Sequence, residues 1–327
     1  MLLHILELAC SPSSAAAMAF TVALTHVCRY WRSVLLSYPK IWTNIFARRD
    51  IVDFLSECLL QSRALPVHLN FHYHMGQDSF DCHCNYHFPL TSCGVRCPHI
   101  RARKTTSLFG EYEPRKRLRS LDLLLFFPNK ITSSAPGLDE IQYTNFFSRP
   151  LPELESLRLV CLDAAQSCEE FFIHDDIFSR SLPKLKHLSL IHCWGGLTDW
   201  IVGLTSFHLE FRDFWDIQSE AFVAFLEGNR GSLEIFSLDN IEFGNWDGEP
   251  VNLTNLKELK LKRITDPTNL FLHLTLPTLE DFNTLRVRFS DGVATFSATN
   301  ASGAALRVVE SQEDVFSCCA NGLASSW

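Results

Sequence analysis

The chain has 327 residues, 46% of them apolar and 20% charged, and a formal net charge of −8. That much apolar surface supports a sizeable core, enough for one large domain and a small one. The acidic balance excludes a broadly basic surface for nucleic acid, and no apolar run approaches the roughly 18 to 20 residues of a membrane span.

Met1 to Ala19 is apolar and runs into Ala15-Ala16-Ala17. It has no basic start, and His4 and Glu7 interrupt it, so no secretory leader is expected. Leu3, Ile5, Leu6 and Leu8 fit a first short helix. Leu24, Val27, Cys28, Trp31 and Leu35 then recur at helical spacing and predict a single helix with one apolar stripe. Thr25, Arg29, Arg32 and Ser33 fall on its other side. Pro39 stops the helix, and Trp42 follows in a fresh short segment. A helix with one apolar face must pack on neighbours from its own domain or from a partner.

Val27-Cys28-Arg29-Tyr30-Trp31-Arg32 and Pro39-Lys40-Ile41-Trp42 resemble the second half of an F-box, in the form common in fungal F-box proteins. That family usually opens with a Leu-Pro-x-Glu segment before the first helix. Here Met1-Leu2-Leu3 already fits inside that helix, so residues 1–46 are expected to be an F-box clipped at its N-terminal edge. The resemblance implies docking on a Skp-type adaptor through Leu3, Leu6, Val27, Trp31, Pro39 and Trp42.

Residues 47–64 read as a linker whose stretch from Ile51 to Ser62 is an amphipathic helix, with Ile51, Leu55, Cys58 and Leu59 on one stripe. Arg63 to Pro66 is a break. Val67, Leu69, Phe71 and Tyr73 then alternate with His68, Asn70, His72 and His74, which predicts a half-buried strand. Ser62-Arg63-Ala64-Leu65-Pro66-Val67-His68-Leu69 is similar to the step by which the fungal family enters its repeat domain.

An insertion follows at about 75–117. Cys82, Cys84, Cys93 and Cys97, with His87 and His99 nearby, carry the donor types that suit zinc. Their spacing is not that of two C-x-x-C pairs, and loop thiols with solvated histidines are the bland alternative. Arg101, Arg103, Lys104, Arg115, Lys116, Arg117 and Arg119 make a basic run, read as a solvated loop or a patch for nuclear targeting or an acidic partner. It has no interleaved aromatic platform for RNA. Cys28, Cys58, Cys161 and Cys193 stand alone in apolar contexts and read as reduced thiols, as in the cytoplasm or nucleus.

The remainder, 65–289, repeats L-x-x-L-x-L at Leu118, Leu154, Leu185, Leu204, Leu233 and Leu256, with Phe207 and Phe236 replacing the second leucine in two units. A weak last unit starts at Leu279. The intervals scatter around the roughly 20 to 29 residues of a leucine-rich repeat. The last two apolar residues of each unit are two apart, as on one face of a strand. Each unit buries them against the next, so the units stack. The fold class expected is α/β: a small helical F-box, then an irregular leucine-rich-repeat solenoid with parallel strands. Ser219 to Gly228 is the clearest helix between units, with Gly228 as its stop. The tail, 290–327, carries no leucine pattern and is expected to be loosely structured or disordered rather than another repeat.

No G-x-S-x-G elbow, P-loop or dinucleotide glycine fingerprint is present, and His174-Asp175-Asp176 reads as a polar repeat connection. The two resemblances together imply the substrate receptor of a cullin-type ubiquitin ligase, with no catalysis of its own and no required cofactor. Its partners would be the adaptor and a target protein, not nucleic acid or membrane. The exposed candidates for the target lie between the repeat leucines: Arg158, Ser189, His208, Ser237 and Lys260. Other classes also fit the residues: a repeat scaffold joined to no ligase, or a zinc-dependent binding module.

Overall fold

The computed structural model describes residues 15–48, 52–74, 116–127, 150–163, 171–172, 182–194, 201–217, 219–243, 249–265, 267, 270–271, 273–285, 306–309 and 317–320. The chain forms two units, residues 1–169 with 180–184, and residues 170–179 with 185–327.

Among the described residues the first unit opens with helices α1 (Ala15–Val27) and α2 (Arg29–Ser37) and a 3-10 turn at Pro39–Trp42. The single helix expected through Leu24 and Leu35 is therefore two. Cys28 between them is extended, with φ −160° and ψ 169°. The Arg32 side chain donates from Nε to the Thr25 carbonyl (2.9 Å), which satisfies an acceptor freed at the end of α1. Val27 and Cys28 are exposed as a result, and of the expected stripe only Leu35 is buried.

Strand β1 (Asn44–Arg48) follows directly, so the sheet starts at Asn44 rather than beyond residue 65. Helix α3 (Val52–Gln61) matches the expected linker helix and buries Leu55, Cys58 and Leu59. Strands β2 (Val67–His74), β3 (Leu118–Phe127) and β4 (Ser156–Asp163) complete the unit, in the order β1-β2-β3-β4 and all parallel. The register places Ile45, Leu69, Leu121 and Leu157 side by side, all buried. Arg117 of the basic run closes the end of α3: its guanidinium donates to the Leu59 carbonyl (3.0 Å), the Leu65 carbonyl (3.2 Å) and Ser62 Oγ (3.1 Å).

The second unit contains β5 (Phe171–Phe172), β6 (His187–Ile191), β7 (Cys193–Trp194), β8 (Ser206–Ile217), α4 (Ser219–Asn229), β9 (Ile235–Phe243), β10 (Val251–Asn252), β11 (Glu258–Lys262), β12 (Leu274–Thr275) and β13 (Asp281–Leu285). Its main strands run β6-β8-β9-β11-β13, all parallel. Leu188, Phe207, Phe236, Leu259 and Phe282 form one rung row, and Leu190, Leu209, Leu238 and Leu261 the next. Both rows are buried through Leu259 and Leu261, each such side chain contributing roughly 1.5–3 kcal/mol.

The leading leucines Leu154 and Leu279 pack from turns. In Leu151-Pro152-Glu153-Leu154 the Leu154 N–H donates to the Leu151 carbonyl (3.1 Å), and Leu276 to Leu279 repeats the turn (3.5 Å). Pro152 and Pro277 occupy the second position of these turns, where their fixed φ fits. On the other side of the second unit, α4 sends Phe222 and Phe225 into the core. Phe225 lies 4.5 Å from Phe207, and Phe222 lies 6.0 Å from Phe236. The helix runs through Gly228 to Asn229, so Gly228 is not its stop. A Cβ at Gly228 would lie 3.3 Å from Val202 Cγ1, and the glycine permits that close approach.

In the tail, Leu306–Val309 (β14) and Ser317–Ala320 (β15) pair antiparallel, unlike the parallel repeat units. The fold is α/β, built mainly of parallel strands with few helices.

Candidate functional site

Two surfaces carry the candidate residues, one in each unit. In the first unit the α1–α2 junction exposes apolar side chains. Val27 is 63% exposed and Tyr30 65%, with Phe20 and Cys28 also exposed. Trp31 and Pro39 are half-buried. Trp42 is only 3% exposed, and its Nε1 donates to the Leu35 carbonyl at 2.9 Å. It fastens the 3-10 turn beneath α2 and is no surface contact, because the indole points inward to a carbonyl left over at the helix end. Leu3 and Leu6 lie outside the described residues.

The second surface is the polar face of the parallel strands. Ser189, His208, Ser237 and Lys260 sit in register on β6, β8, β9 and β11, one above another. They interleave with the buried leucines because successive strand residues point to opposite faces. Arg158 belongs to the corresponding row of the first unit, Asn70–Asp122–Arg158. There it bridges Asp122 at 3.2 Å, and Asn70 Nδ2 donates to the same carboxylate at 3.3 Å. The sequence put all five in one exposed row; the structure brings Ser189, His208, Ser237 and Lys260 into register and assigns Arg158 to the first unit.

The charges on the second unit's face satisfy one another. Lys260 Nζ lies 2.6 Å from Glu258. Asp239 is 4% exposed and is held by Lys262 (2.7 Å) and by Arg263 Nε (2.6 Å). Arg263 also faces Glu210 at 3.7 Å. Its hydrogen bond to Asp239 raises its pKa above the ordinary arginine value. Arg263 and Asn240 take positive φ, 52° and 63°, at the second residue past the last leucine of their units, as does His192 at 57°. Asn240 uses that geometry to donate from Nδ2 to the carbonyls of Phe211 and Arg212, where β8 departs from regular register between Glu210 and Trp215.

No protein-family model, curated protein or solved structure matches the chain.

Ser237, His208 and Glu210 have the residue types of a nucleophile, a base and an orienting acid. Ser237 Oγ lies 2.9 Å from His208 Nδ1, and Glu210 Oε2 lies 3.4 Å from His208 Nε2. Acyl transfer also needs N–H donors aimed at a developing oxyanion. Strand β9 is paired on both sides, by β8 and β11, so its N–H groups along this stretch are committed to the ladders. The His208–Ser237 contact ties β8 to β9. Among the described residues no group of His, Cys, Asp and Glu could hold a metal ion. Cys82, Cys84, Cys93 and Cys97 lie outside the described residues, as does His174-Asp175-Asp176.

Sequence reasoning missed Asn229. It is fully buried at the end of α4. Its Oδ1 accepts from the Leu204 N–H (2.9 Å), and its Nδ2 donates to the carbonyls of Ile201 (2.7 Å) and Phe225 (2.9 Å). The signal available was an amide residue at a helix end, four residues before the next leading leucine, Leu233.

Proposed function

We propose that the protein is the substrate-recognition subunit of an SCF-type ubiquitin ligase. Its N-terminal segment docks a Skp-type adaptor and, through it, a cullin. Its strand face holds the target protein, and the L-x-x-L-x-L units form an irregular leucine-rich-repeat solenoid. The subunit does no chemistry: it raises the local concentration of the target beside the transferring subunits. Cytoplasm and nucleus are the compartments this reading implies.

One observation carries it. Within the segment that resembles an F-box, Val27 and Tyr30 stand well over half exposed at the α1–α2 junction, where a monomer gains nothing by exposing them together and a partner gains apolar area. Trp42 and Leu35 are internal and serve the adaptor indirectly by fixing the helices. Among the described residues Val27, Tyr30, Trp31 and Pro39 are the contacts left for it.

The test is co-precipitation of the full chain with a purified Skp-type adaptor. The wild-type chain binds, and the double variant Val27→Glu, Tyr30→Glu loses binding while keeping its circular dichroism and unfolding midpoint. A folded wild-type chain that fails to bind the adaptor refutes the ligase assignment and leaves a repeat scaffold outside any ligase.

A further inference from the structure

Residues 15–48 carry four basic side chains, Arg29, Arg32, Lys40 and Arg48, and no Asp or Glu, in a chain whose net charge is −8. Arg29 and Arg32 stand at the start of α2, and both are exposed. At about 100° per residue, Arg29 falls between Arg32 and Tyr30 on the side of α2 away from the buried Leu35. The exposed Val27 and Tyr30 therefore lie beside two guanidinium groups.

Two observations set these cations apart. Among the described residues no carboxylate is paired with Arg29 or Arg32. Arg32 commits its Nε to the neutral Thr25 carbonyl, which leaves its charge in place. On the sheet, by contrast, Arg119, Arg158, Lys260 and Lys262 each meet a carboxylate, at 3.6, 3.2, 2.6 and 2.7 Å. The second observation is their position within α2. The first turn of a helix carries unpaired N–H groups and the positive end of the dipole, so Asp and Glu are favoured there and cations are not. The first turn of α2 holds no acidic residue, and Cys28 supplies no side-chain cap. The helix itself gains nothing from Arg29. Residues that break a local rule in this way serve something outside the element that carries them.

We propose that the α1–α2 junction docks an acidic patch on the adaptor, whose carboxylates face Arg29 and Arg32 around an apolar contact with Val27 and Tyr30. The inference rests on the adaptor reading above and adds the chemistry of the surface that fits. Charge complementarity selects the occupant. A neutral or basic surface would strip water from the two guanidinium groups and give them no partner, whereas carboxylates pair with them through two parallel hydrogen bonds. Arg and Tyr are also the side chains in which interfaces concentrate binding energy. The roles divide accordingly: the apolar pair holds the complex together, and the flanking cations speed the encounter.

Association and dissociation rates of the full chain on an immobilised, purified Skp-type adaptor test this. For the wild-type chain the association rate falls steeply as ionic strength rises from about 0.05 to about 0.5 M. Arg29→Glu lowers the association rate by about tenfold at the low end, flattens the salt dependence and leaves dissociation within about threefold. Arg29→Lys keeps the charge and keeps the salt dependence. Val27→Ala with Tyr30→Ala acts the other way and raises the dissociation rate. A loss of fold would move both rates together and lower the unfolding midpoint, which is measured on every variant. Adaptor binding whose association rate ignores both salt and Arg29→Glu overturns the acidic-patch inference and leaves the adaptor reading standing. A folded wild-type chain that does not bind the adaptor overturns both. Sedimentation with vesicles containing phosphatidylserine is measured alongside. Vesicle binding that Arg29→Glu abolishes, with adaptor rates unmoved by that change, gives the junction to an anionic membrane surface and overturns the inference.

Discussion

Asn229 offers the sharpest check on how the second unit is held together. Its side chain ties the end of α4 to the segment entering β8, through Leu204 N–H and the Ile201 carbonyl. Asn229→Leu keeps the volume and removes every side-chain hydrogen bond. The Leu204 N–H and Ile201 carbonyl lose their bonds to that amide, in a site where Asn229 and both residues are buried. Leaving a buried polar group unsatisfied costs about 1–3 kcal/mol, so two of them give a loss of about 2–5 kcal/mol, offset in small part by the added apolar side chain. Against a total stability of about 5–15 kcal/mol for a domain, that is a large fraction. The assay is denaturant unfolding of the full chain followed by circular dichroism and tryptophan fluorescence, comparing midpoint and slope. Thr254→Ala is the control. It removes an exposed 3.4 Å hydrogen bond to the Arg230 carbonyl and shifts the midpoint little. An Asn229→Leu variant within about 0.5 kcal/mol of wild type would falsify the claim that this amide ties α4 to the segment entering β8.

Three further outcomes are expected. Trp42→Phe keeps the apolar fill but gives up the bond to the Leu35 carbonyl, which still accepts from the Tyr38 N–H at 3.2 Å; it costs about 1 kcal/mol, whereas Trp42→Ala costs about 3–5 kcal/mol, both read from unfolding midpoints. Burial pushes the Cys58 thiol up to about 12, so iodoacetamide at pH 8 labels the exposed Cys28 and spares Cys58 in the native protein, as mass spectrometry of the tryptic peptides would register; rapid native labelling of Cys58 contradicts its burial on the inner face of α3. Partial burial, with Arg119 adding to it, holds the His68 imidazole below its usual value of 6.5. A depressed histidine favours the folded state above the unfolded value, and that stability is lost as pH falls below 6.5. His68→Gln therefore flattens the pH dependence of stability on the acid side of 6.5 and leaves it unchanged at pH 8. The effect is small, since the side chain reaches solvent.

The leucine pattern by itself determined the inward face. In L-x-x-L-x-L the strand pair of apolar residues is two apart, and that period assigns sides before any neighbour is known. Leu121 with Leu123, Leu157 with Leu159, and Leu259 with Leu261 are all buried as that period requires. Alternation did the same for Val67, Leu69 and Phe71, and helical spacing located α3 and α4. The outward row Ser189–His208–Ser237–Lys260 follows from the same period, so its membership was legible.

Who stands beside whom was not legible. Asp239 meets Lys262 and Arg263 across 23 and 24 residues, while Asp122 meets Arg158 across 36. Such separations are set by the lengths of the connections and by register, neither of which a local pattern encodes. The helix break at Cys28 escaped notice for a related reason. Apolar spacing continues across it, and the break shows only in the extended Cys28 backbone and in the Arg32 side chain that takes the Thr25 carbonyl. Trp42 looked like a surface anchor in the sequence because its motif names residue types and not directions. Its indole turns inward because the Leu35 carbonyl at the end of α2 lies within reach of its N–H, a placement fixed by tertiary structure alone.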